Sequence, residues 1–388
     1  MRIALAQINT TVGDISGNQS RILQSLADAR TAQADLVLLP ELAVTGYPPE
    51  DLLLRPDFLR AASESVAAIA RETAGITALV GAPTLDRDLS NACVVCTQGK
   101  VAAVYRKRYL PNYGVFDEHR YFRPSRELIL LRLGQTLIGP TVCEDIWQPG
   151  PPATELALAG ATVITNISAS PFHLGKGHER EAMLATRARD NACWVVFANA
   201  VGAQDDLVFD GHSVVVSPDG ETVARARAFE EELLIADIEP STATARRLRD
   251  ARRRGIARER SSLPDPPIVE LGEQQSPAAA ATPRLAGKVA ELEEMRLALE
   301  LGLSDYVAKN RFEDVVLGIS GGIDSALTAA LAADALGPER VVLVSMPSRY
   351  TSPGTRTDAQ RVAENLGTRF FEIPVGPAVG AFDEALAA

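Results

Sequence analysis

Short apolar runs recur through the first 238 residues and alternate with stretches of helical character, which restricts this part of the chain to an α/β fold. The predicted helices cover about residues 17–31, 57–72 and 176–192. Hairpin turns at Gln98-Gly99-Lys100 and Leu133-Gly134-Gln135 predict antiparallel neighbours, so a mixed α/β sandwich fits better than an all-parallel sheet. The predicted strands are Ile3–Gln7, Asp35–Leu39, Thr77–Gly81, Ala92–Thr97, Val101–Tyr105, Leu128–Leu131, Leu137–Val142, Thr162–Thr165, Trp194–Ala198, Ser213–Val216 and Leu233–Ile238.

The composition limits the classes of partner and compartment. With 388 residues, 46% of them hydrophobic, the chain is long enough for two domains with a substantial core. The formal net charge of −11 argues against a nucleic-acid or anionic-membrane partner. Four cysteines are too few for a disulfide framework, and the first residues predict a strand rather than a secretory signal, so we expect a reducing cytoplasm.

A change of composition predicts a linker over residues 241–285, between a first domain at 1–240 and a second at 286–388. The linker contains stretches rich in Pro, Ser and Ala, which are typical of disordered or polyproline II chain. Its arginine run, Arg246 to Arg254, is open to two interpretations, a polyanion site or a solvated helix that packs on another domain or subunit. The acidic total favours the second.

From residue 286 the pattern is that of a doubly wound α/β domain. A helix to about Lys309 precedes strands at Val315–Ile319 and Val341–Met346 and helices at Asp324–Leu336 and Arg356–Leu366. Because two or three parallel strands make a thin sheet, we expect this domain to be incomplete within the 388 residues.

Cys143 follows the apolar run at 137–142, so a buried strand delivers its thiol to the strand's end, where sites of open α/β sheets form. Glu41 and Lys107 follow two other predicted strands. Amide or nitrile hydrolysis by a thiol needs a nucleophile, a base and a fixed positive group for the oxyanion, and these three residue types supply them without histidine. A lysine beside the thiol also favours the thiolate. The alternative is a core cysteine with two unrelated charges.

The remaining cysteines and the histidines predict no site. Cys193 precedes an apolar strand, and Cys93 and Cys96 enclose two valines, so all three fit buried strands, with no second pair for zinc. The histidines are scattered without metal-ligand spacing; they are His119, His173, His178 and His212.

Three segments resemble, in order and spacing, the Glu-Lys-Cys motifs of the nitrilase superfamily; they are residues 39–42, 106–113 and 142–145. The resemblance implies an α-β-β-α sandwich in which Glu41 is the general base, Lys107 the cation beside the oxyanion and Cys143 the nucleophile. Glu118 resembles the superfamily's second glutamate, which orients the lysine.

Four further sequence segments are similar to the glutaminase domain of glutamine-dependent NAD synthetases; they are residues 45–52, 110–118, 168–172 and 201–211. The resemblance implies that Tyr113, Ser170 and Lys176 hold L-glutamine, with Tyr47 and Glu144 nearby. Lys176 stands where some relatives carry arginine, and a lysine gives up the bidentate geometry toward a carboxylate.

The segment from Val315 to Ser325 predicts a strand, a glycine turn and a helix. Glycines let backbone N–H groups close on a phosphate, serines add hydroxyl donors and a helix N-terminus favours the anion. The Gly-Lys-Ser/Thr ending of a Walker loop is missing, and as a bare pattern an ordinary strand–helix turn also fits. The string resembles the pyrophosphate loop of AMP-forming ATP pyrophosphatases, an adenine nucleotide hydrolase-like fold. That resemblance implies ATP binding by Gly318, Ile319, Ser320, Gly321, Gly322, Ile323, Asp324 and Ser325.

Residues 345–352, at the end of the next strand, resemble the matching segment of NAD synthetases. Together the resemblances imply an enzyme that releases ammonia from glutamine, adenylates nicotinic acid adenine dinucleotide with Mg²⁺-ATP and amidates it to NAD⁺. They also suggest a homo-oligomer. Two alternatives remain open, an amidase whose second domain is a non-functional remnant and a non-enzymatic assembly or regulatory subunit.

Overall fold

The computed structural model describes residues 1–251, 255, 265–274, 280–282 and 284–387, and it divides into two units, Met1–Val289 and Ala290–Ala388. Arg252, Arg253, Arg254 and most of the Pro-, Ser- and Ala-rich stretches of the predicted linker lie outside the described residues. No helix in the described part of the chain is long and apolar enough to cross a membrane.

The first unit carries two large sheets, a small hairpin and flanking helices. Its helices are α1 Ile15–Thr31, α2 Pro56–Arg71, α3 Glu144–Trp147, α4 Ala153–Leu158, α5 Lys176–Asn191 and α6 Ser241–Arg249, with short 3₁₀ turns at Glu50–Leu54 and Glu118–Arg120. Its strands are β1 Arg2–Gln7, β2 Leu36–Leu38, β3 Thr77–Leu85, β4 Leu89–Thr97, β5 Lys100–Arg106, β6 Leu130–Leu133, β7 Thr136–Val142, β8 Val163–Ser168, β9 Trp194–Asn199, β10 Val201–Gln204, β11 Leu207–Asp210, β12 Val214–Val216, β13 Thr222–Arg225, β14 Glu232–Asp237 and β15 Ile268–Gly272.

The two large sheets stack face to face between two helical layers. Their strand orders are β14-β1-β2-β3-β4-β5 and β13-β12-β9-β8-β7-β6-β15, and side chains of both, such as Leu38 and Val142, share the central core. The outer face of the first sheet packs on α1 and α2, and Ile22 of α1 belongs to that cluster. Leu156 of α4 and Leu184 of α5 cover the second sheet in the same way. The predicted α-β-β-α sandwich is confirmed.

Strands buried on both faces explain why the sequence shows continuous apolar runs rather than alternating patterns. Successive side chains of a strand point to opposite faces. In β1, Ile3 and Leu5 therefore enter the central core, while Ala4 and Ala6 enter the outer one. Both faces need apolar residues, so most positions of such a strand are apolar.

Some elements lie where the sequence patterns are weak. The hairpin β10-β11, strand β13 and the short helices α3 and α4 fall outside the predicted elements. Strand β15 lies in the segment predicted as a linker, where it pairs in parallel with β6 through Ile268 and Leu130. Only a few residues of β15 are apolar. In a prediction based on composition, the Pro-rich sequence around them outweighs this short signal.

The second unit is a three-stranded parallel sheet with helices, as expected of a doubly wound pattern. Val341 and Leu343 of its central strand are fully buried against helical alanines. Its elements are α7 Glu291–Lys309, β16 Val315–Gly318, α8 Ile323–Leu336, a 3₁₀ turn at Pro338–Arg340, β17 Val341–Ser345, α9 Pro353–Leu366, β18 Arg369–Glu372 and α10 Gly376–Leu386.

Gly81 of β3 allows the turn after β2 to lie directly against the sheet. The Val44 N–H group donates to the Gly81 carbonyl at 3.2 Å. A Cβ atom at Gly81 would lie 2.1 Å from the Pro40 carbonyl oxygen and 2.5 Å from the Leu42 nitrogen, so no side chain fits there. The turn that this close approach fixes carries Glu41.

We therefore expect Gly81→Ala to lower the free energy of unfolding of the first unit by about 1–3 kcal/mol, because the added methyl group displaces backbone. Urea denaturation followed by tryptophan fluorescence measures this, since both tryptophans, Trp147 and Trp194, lie in the first unit. Gly287→Ala is the matched control, because a Cβ atom there meets nothing within 4 Å. Equal midpoints for the two variants would contradict the steric argument.

Helix α5 is joined to the end of the first unit by a charged cluster around Glu181. Glu181 accepts hydrogen bonds from His212 Nε2 at 2.6 Å and from Arg225 Nη2 at 3.0 Å. Arg225 also donates through Nη1 to the Ala286 carbonyl at 2.6 Å. Burial by itself raises the pKa of Glu181, but the hydrogen bonds and charges of His212 and Arg225 outweigh it and hold that pKa well below its ordinary value.

A carboxylate with a lowered pKa in the folded state stabilises the fold above its unfolded-state pKa and loses that contribution as the pH falls. We expect Glu181→Gln to cost about 2 kcal/mol of unfolding free energy at pH 7. The gap between parent and variant should shrink as the pH drops from 4.5, the ordinary glutamate value, toward 3. Urea denaturation across this range tests it, with the exposed Glu221→Gln as control. A gap that stays constant down to pH 3 would refute the linkage.

Candidate active site

The strand directions bring the predicted catalytic residues to one place. Strands β2 and β3 are parallel, and β5 runs the same way because β4 is antiparallel to both of its neighbours. Glu41 after β2 and Lys107 after β5 therefore lie at the same edge of the first sheet. In the second sheet β7 and β8 are parallel, so Cys143 and Ala169 follow them at a common edge. Sites of α/β sheets form at such carboxyl ends.

Lys107 is fully buried and is surrounded by carboxylate oxygens. Its Nζ atom donates to Glu41 Oε1 at 2.6 Å and to Glu118 Oε1 and Oε2 at 2.8 and 2.9 Å. Burial alone lowers the pKa of Lys107, but the two carboxylates reverse this and raise it well above its ordinary value. Lys107 is therefore a permanent cation.

Glu118 is held in place by two donors. Besides Lys107, the Tyr47 hydroxyl donates to Glu118 Oε1 at 3.0 Å. Burial raises the pKa of Glu118 to about 7, although Lys107 favours its charged form. The structure thus places Tyr47, predicted near the substrate, directly beside the second glutamate.

Glu41 is fixed through both of its oxygens. Oε1 accepts from Asn91 Nδ2 at 2.7 Å as well as from Lys107, and Oε2 accepts from the Ala169 N–H group at 3.0 Å. Asn91 also contacts the segment that carries Lys107, because its backbone carbonyl accepts from the Lys107 backbone N–H group at 2.8 Å. The carboxylate is therefore oriented by strands from both sheets.

Cys143 occupies a strained turn between β7 and α3. Its φ of 42° and ψ of −104° lie in a sparsely populated region for a residue with a side chain. The turn is fixed from behind, because the Cys143 N–H group donates to the Ile167 carbonyl at 2.9 Å and Asn166 Nδ2 donates to the Cys143 carbonyl at 3.3 Å. Strain held by surrounding structure is frequent at functional sites.

Lys107 lowers the pKa of the Cys143 thiol, as expected of a neighbouring lysine, but other influences outweigh it. Burial, followed by the negative charge of Glu41, raises the pKa of the Cys143 thiol well above its ordinary value, and the opposing effect of Lys107 is smaller. The positive charge of Lys107 is already matched by two carboxylates. A neutral thiol needs a base when it reacts, and Glu41 is the fixed carboxylate whose charge reaches it.

Asp145 links the nucleophile turn to the lysine segment. Its Oδ1 atom accepts from the Arg108 and Tyr109 N–H groups, each at 3.0 Å. Its Oδ2 atom accepts from the Tyr105 hydroxyl at 2.8 Å and from the Val142 N–H group at 3.0 Å. One fully buried carboxylate thus fixes the residues on either side of Lys107 against the residue before Cys143.

Two of the predicted substrate-binding residues, Tyr113 and Glu144, form a hydrogen-bonded pair. The hydroxyl of Tyr113, which is exposed, donates to Glu144 Oε2 at 2.9 Å, and Gln148 Nε2 donates to Glu144 Oε1 at 2.7 Å. They line a cavity of about 410 Å³ together with Tyr109 and His119. Charged and aromatic groups thus line a cavity that includes Glu144, the residue after Cys143.

Ser170 and Lys176 lie on the segment that leads from β8 into α5. Ser170 is buried and follows Ala169, whose N–H group contacts Glu41. Lys176 begins α5, with Nζ 3.9 Å from the centroid of the Trp147 ring and 3.2 Å from Glu179 Oε2. Trp147 ends α3, the short helix that follows Cys143.

The predicted phosphate loop lies in the second unit, between β16 and α8. Its two serines are bonded to each other and to the loop, with 3.0 Å between the Ser320 and Ser325 Oγ atoms and 3.2 Å from the Gly322 N–H group to Ser320 Oγ. Gly321 has φ +83°, and a Cβ atom there would lie 2.1 Å from the Thr355 carbonyl oxygen. The first N–H groups of α8, which begins at Ile323, lack intrahelical partners and point to the loop. This arrangement suits a phosphate.

Sequence patterns missed three polar residues that build the first site, Asn91, Asp145 and Asn166. Two of them, Asn91 and Asn166, lie inside buried strands, where an amide interrupting an apolar run is the available signal. Each accounts for hydrogen bonds that hold Glu41 or Cys143. Among the described residues no group of three or more His, Cys, Asp or Glu side chains is placed to hold a metal ion.

Both units match known protein families. Residues 2–248 match the family model Carbon-nitrogen hydrolase, and residues 296–388 match the model NAD synthase. The chain is 43% identical to the glutamine-dependent NAD(+) synthetase of Aquifex aeolicus over 385 residues, 97% of this chain and 66% of that protein. The chain thus spans about two thirds of the length of this curated relative.

Two solved structures are similar. The glutamine-dependent NAD⁺ synthetase from Acinetobacter baumannii, in complex with ADP, aligns with a TM-score of 0.85 at 32% identity, covering 99% of this chain and 66% of that one. An amidase from Nesterenkonia sp. AN1, with acrylamide added at its active-site cysteine, aligns with a TM-score of 0.56 at 28% identity. The alignment covers 64% of this chain and 97% of the amidase.

Proposed function

The chain belongs to the carbon-nitrogen hydrolase family, and on this premise we propose that its first unit hydrolyses the side-chain amide of L-glutamine with Cys143 as the nucleophile. The observation that carries the proposal is the buried Lys107 ammonium, bonded to Glu41 and Glu118 next to a neutral thiol. We further propose that the ammonia serves to convert nicotinic acid adenine dinucleotide into NAD⁺.

In the proposed reaction Glu41 removes the proton of the Cys143 thiol as sulfur attacks the amide carbon. The carbonyl π electrons move to oxygen, and the charge of Lys107 stabilises the resulting oxyanion. Collapse breaks the C–N bond, Glu41 returns its proton to the nitrogen and ammonia leaves behind a thioester. Glu41 then deprotonates a water molecule that attacks the thioester, the C–S bond breaks with release of glutamate, and Glu41 returns the proton to the Cys143 sulfur.

The substrate's amino-acid end is assigned to the predicted substrate-binding residues. The carboxylate side would meet Ser170 and Lys176, and the ammonium side would meet the Tyr113–Glu144 pair. This division rests on charge, because Glu144 is an acidic residue of the cavity wall and Lys176 is a cation at the start of α5. Tyr47 acts through Glu118, to which its hydroxyl is bonded.

The second unit is proposed to bind ATP through residues 318–325. Ser320, Ser325 and the open N–H groups at the start of α8 would hold phosphate oxygens, and Asp324 lies in the first turn as the nearby carboxylate. With Mg²⁺, ATP would activate the dinucleotide carboxylate as its adenylate with release of pyrophosphate, and ammonia would then displace AMP. We also propose that the protein assembles as a homo-oligomer in the cytoplasm.

A second candidate is an amidase without synthetase activity. The observation that favours it is the amidase from Nesterenkonia sp. AN1, 97% of which is matched by 64% of this chain. The first unit is thus comparable to a complete enzyme. Hydrolysis independent of ATP and dinucleotide would be its signature.

We expect Cys143→Ala to abolish glutamate release from glutamine while tryptophan fluorescence and the urea midpoint stay near those of the parent. The reason is that the variant lacks the sulfur atom on which the thioester would form. Cys96→Ala, at a buried thiol in the outer core, is the control and should keep the activity. Substantial glutamate release by Cys143→Ala would overturn the nucleophile assignment.

The two proposed activities should separate by mutation. With nicotinic acid adenine dinucleotide and Mg²⁺-ATP, we expect the parent to form NAD⁺ from glutamine or from ammonium, and Cys143→Ala to form it from ammonium alone. The double variant Ser320→Ala/Asp324→Ala should keep glutamate release and lose NAD⁺ formation from both nitrogen sources. If the parent releases glutamate yet forms no NAD⁺ from ammonium, the synthetase half is wrong and the amidase alternative stands.

A further inference from the structure

A buried ion pair lies directly behind Ser170. Arg180 of α5 is fully buried and binds Asp210 in a bidentate manner, with Nη1 to Oδ2 and Nη2 to Oδ1 both at 3.0 Å. The same Nη2 atom donates to Ser170 Oγ at 3.3 Å. The guanidinium therefore connects α5 and the end of β11 with the segment that follows β8.

This contact fixes the polarity of the Ser170 hydroxyl. A guanidinium has only donors, so Ser170 Oγ must be the acceptor of that hydrogen bond. The hydroxyl hydrogen is then left for a second partner. In the described part of the structure, the Ser170 hydroxyl makes no hydrogen bond besides that to Arg180. Ser170 is thus prepared to donate to an acceptor that comes from outside the protein.

The backbone of Ser170 is held equally firmly. Asn199 Oδ1 accepts from the Ser170 N–H group at 2.8 Å, and Asn199 Nδ2 donates to the Gly211 carbonyl at 2.9 Å. The preceding residue, Ala169, donates its N–H group to Glu41 Oε2 at 3.0 Å. Ser170 therefore has a fixed position relative to the proposed catalytic base.

Arg180 is itself unsuited to bind an anion. Its charge is matched by Asp210, both side chains are almost without exposed surface, and its Cζ atom lies 5.5 Å from the centroid of the Phe197 ring. Its Nε atom is buried and makes no hydrogen bond within the described residues. Besides Ser170, its hydrogen-bond partners are Asp210 and, at 3.4 Å, the Gly211 carbonyl, which have no hydrogen to donate. Arg180 can therefore act on a ligand through Ser170.

We propose that Arg180 is a positioning residue that turns the Ser170 hydroxyl into an obligatory donor for the carboxylate of an α-amino acid amide. This inference rests on the proposed function and deepens it, since it names the end of the substrate that the Arg180–Ser170 contact selects. A small amide without a carboxylate gains nothing from this contact. Arg180 thereby contributes to selection of the substrate rather than to cleavage of its amide.

Two thiol reagents separate these roles in the full chain. Both alkylate a cysteine, but 6-diazo-5-oxo-L-norleucine carries the amino-acid end of glutamine, whereas iodoacetamide lacks it. Rates of Cys143 modification by each reagent are measured for the parent, Ser170→Ala, Arg180→Lys and their combination. Arg189→Lys, an exposed arginine on the same helix, is the control.

We expect Ser170→Ala and Arg180→Lys each to slow the diazo reagent about tenfold or more, the effect of losing a hydrogen bond to a charged group, while the iodoacetamide rate stays unchanged. Because Arg180 acts through Ser170, the combined variant should be no slower than the single ones. Effects that multiply in the combined variant, or equal slowing of both reagents, would show a merely structural role and overturn the proposal.

The parent reports on the proposed function separately from the variants. A parent that reacts with iodoacetamide, ignores the diazo reagent and releases no glutamate would refute the glutaminase itself. If Arg180→Lys does not fold, Arg180→Met with Asp210→Leu removes both charges without leaving either one unpaired. It should show the same selective slowing, and an unchanged rate with the diazo reagent would again overturn the role of Arg180.

Discussion

A lysine ammonium with no exposed surface is the constraint on which the active site depends. Taking such a charge out of water costs several kcal/mol unless carboxylates and good hydrogen-bond geometry surround it. Lys107 obtains three short contacts, from Glu41 and Glu118, and these contacts join the end of β2, the end of β5 and the 3₁₀ turn at 118–120. The folded chain cannot keep Lys107 buried without assembling the other charged groups around it.

Buried polar side chains extend this constraint to the second sheet. Asp145 bonds the residues next to Lys107 to the residue before Cys143, and Asn166 supports the Cys143 carbonyl. Ala169 completes the set through its N–H group on Glu41. Because each member is held by groups from another strand end, the geometry of the nucleophile, base and cation is set by the sandwich as a whole rather than by any one loop.

The sequence predicted most of the sandwich because strands buried on both faces are apolar over most of their length, as residues 3–6 of β1 and 137–140 of β7 are. It also indicated Glu41, Lys107 and Cys143, since each follows such a strand. It could not indicate β15, whose few apolar residues stand in Pro-rich surroundings, or the Arg180–Asp210 pair, whose members are 30 residues apart. The effect of Lys107 on the Cys143 thiol could be expected from the sequence. Burial and the charges of Glu41, Glu118 and Glu144, which together outweigh Lys107 and raise the pKa of the thiol, exist only in three dimensions.

The adjacent residues Ala169 and Ser170 have two different roles in the proposed site. The Ala169 N–H group binds Glu41, and the Ser170 hydroxyl accepts from Arg180; on the proposed function these are the base and the group that meets the far end of the substrate. On the proposed assignment this rigid segment selects the length of the substrate. The distance from the scissile carbon to the carboxylate must match the fixed spacing between Glu41 and the Ser170 hydroxyl. A side chain one methylene shorter, as in asparagine, would satisfy the hydroxyl only by drawing its amide carbon away from sulfur.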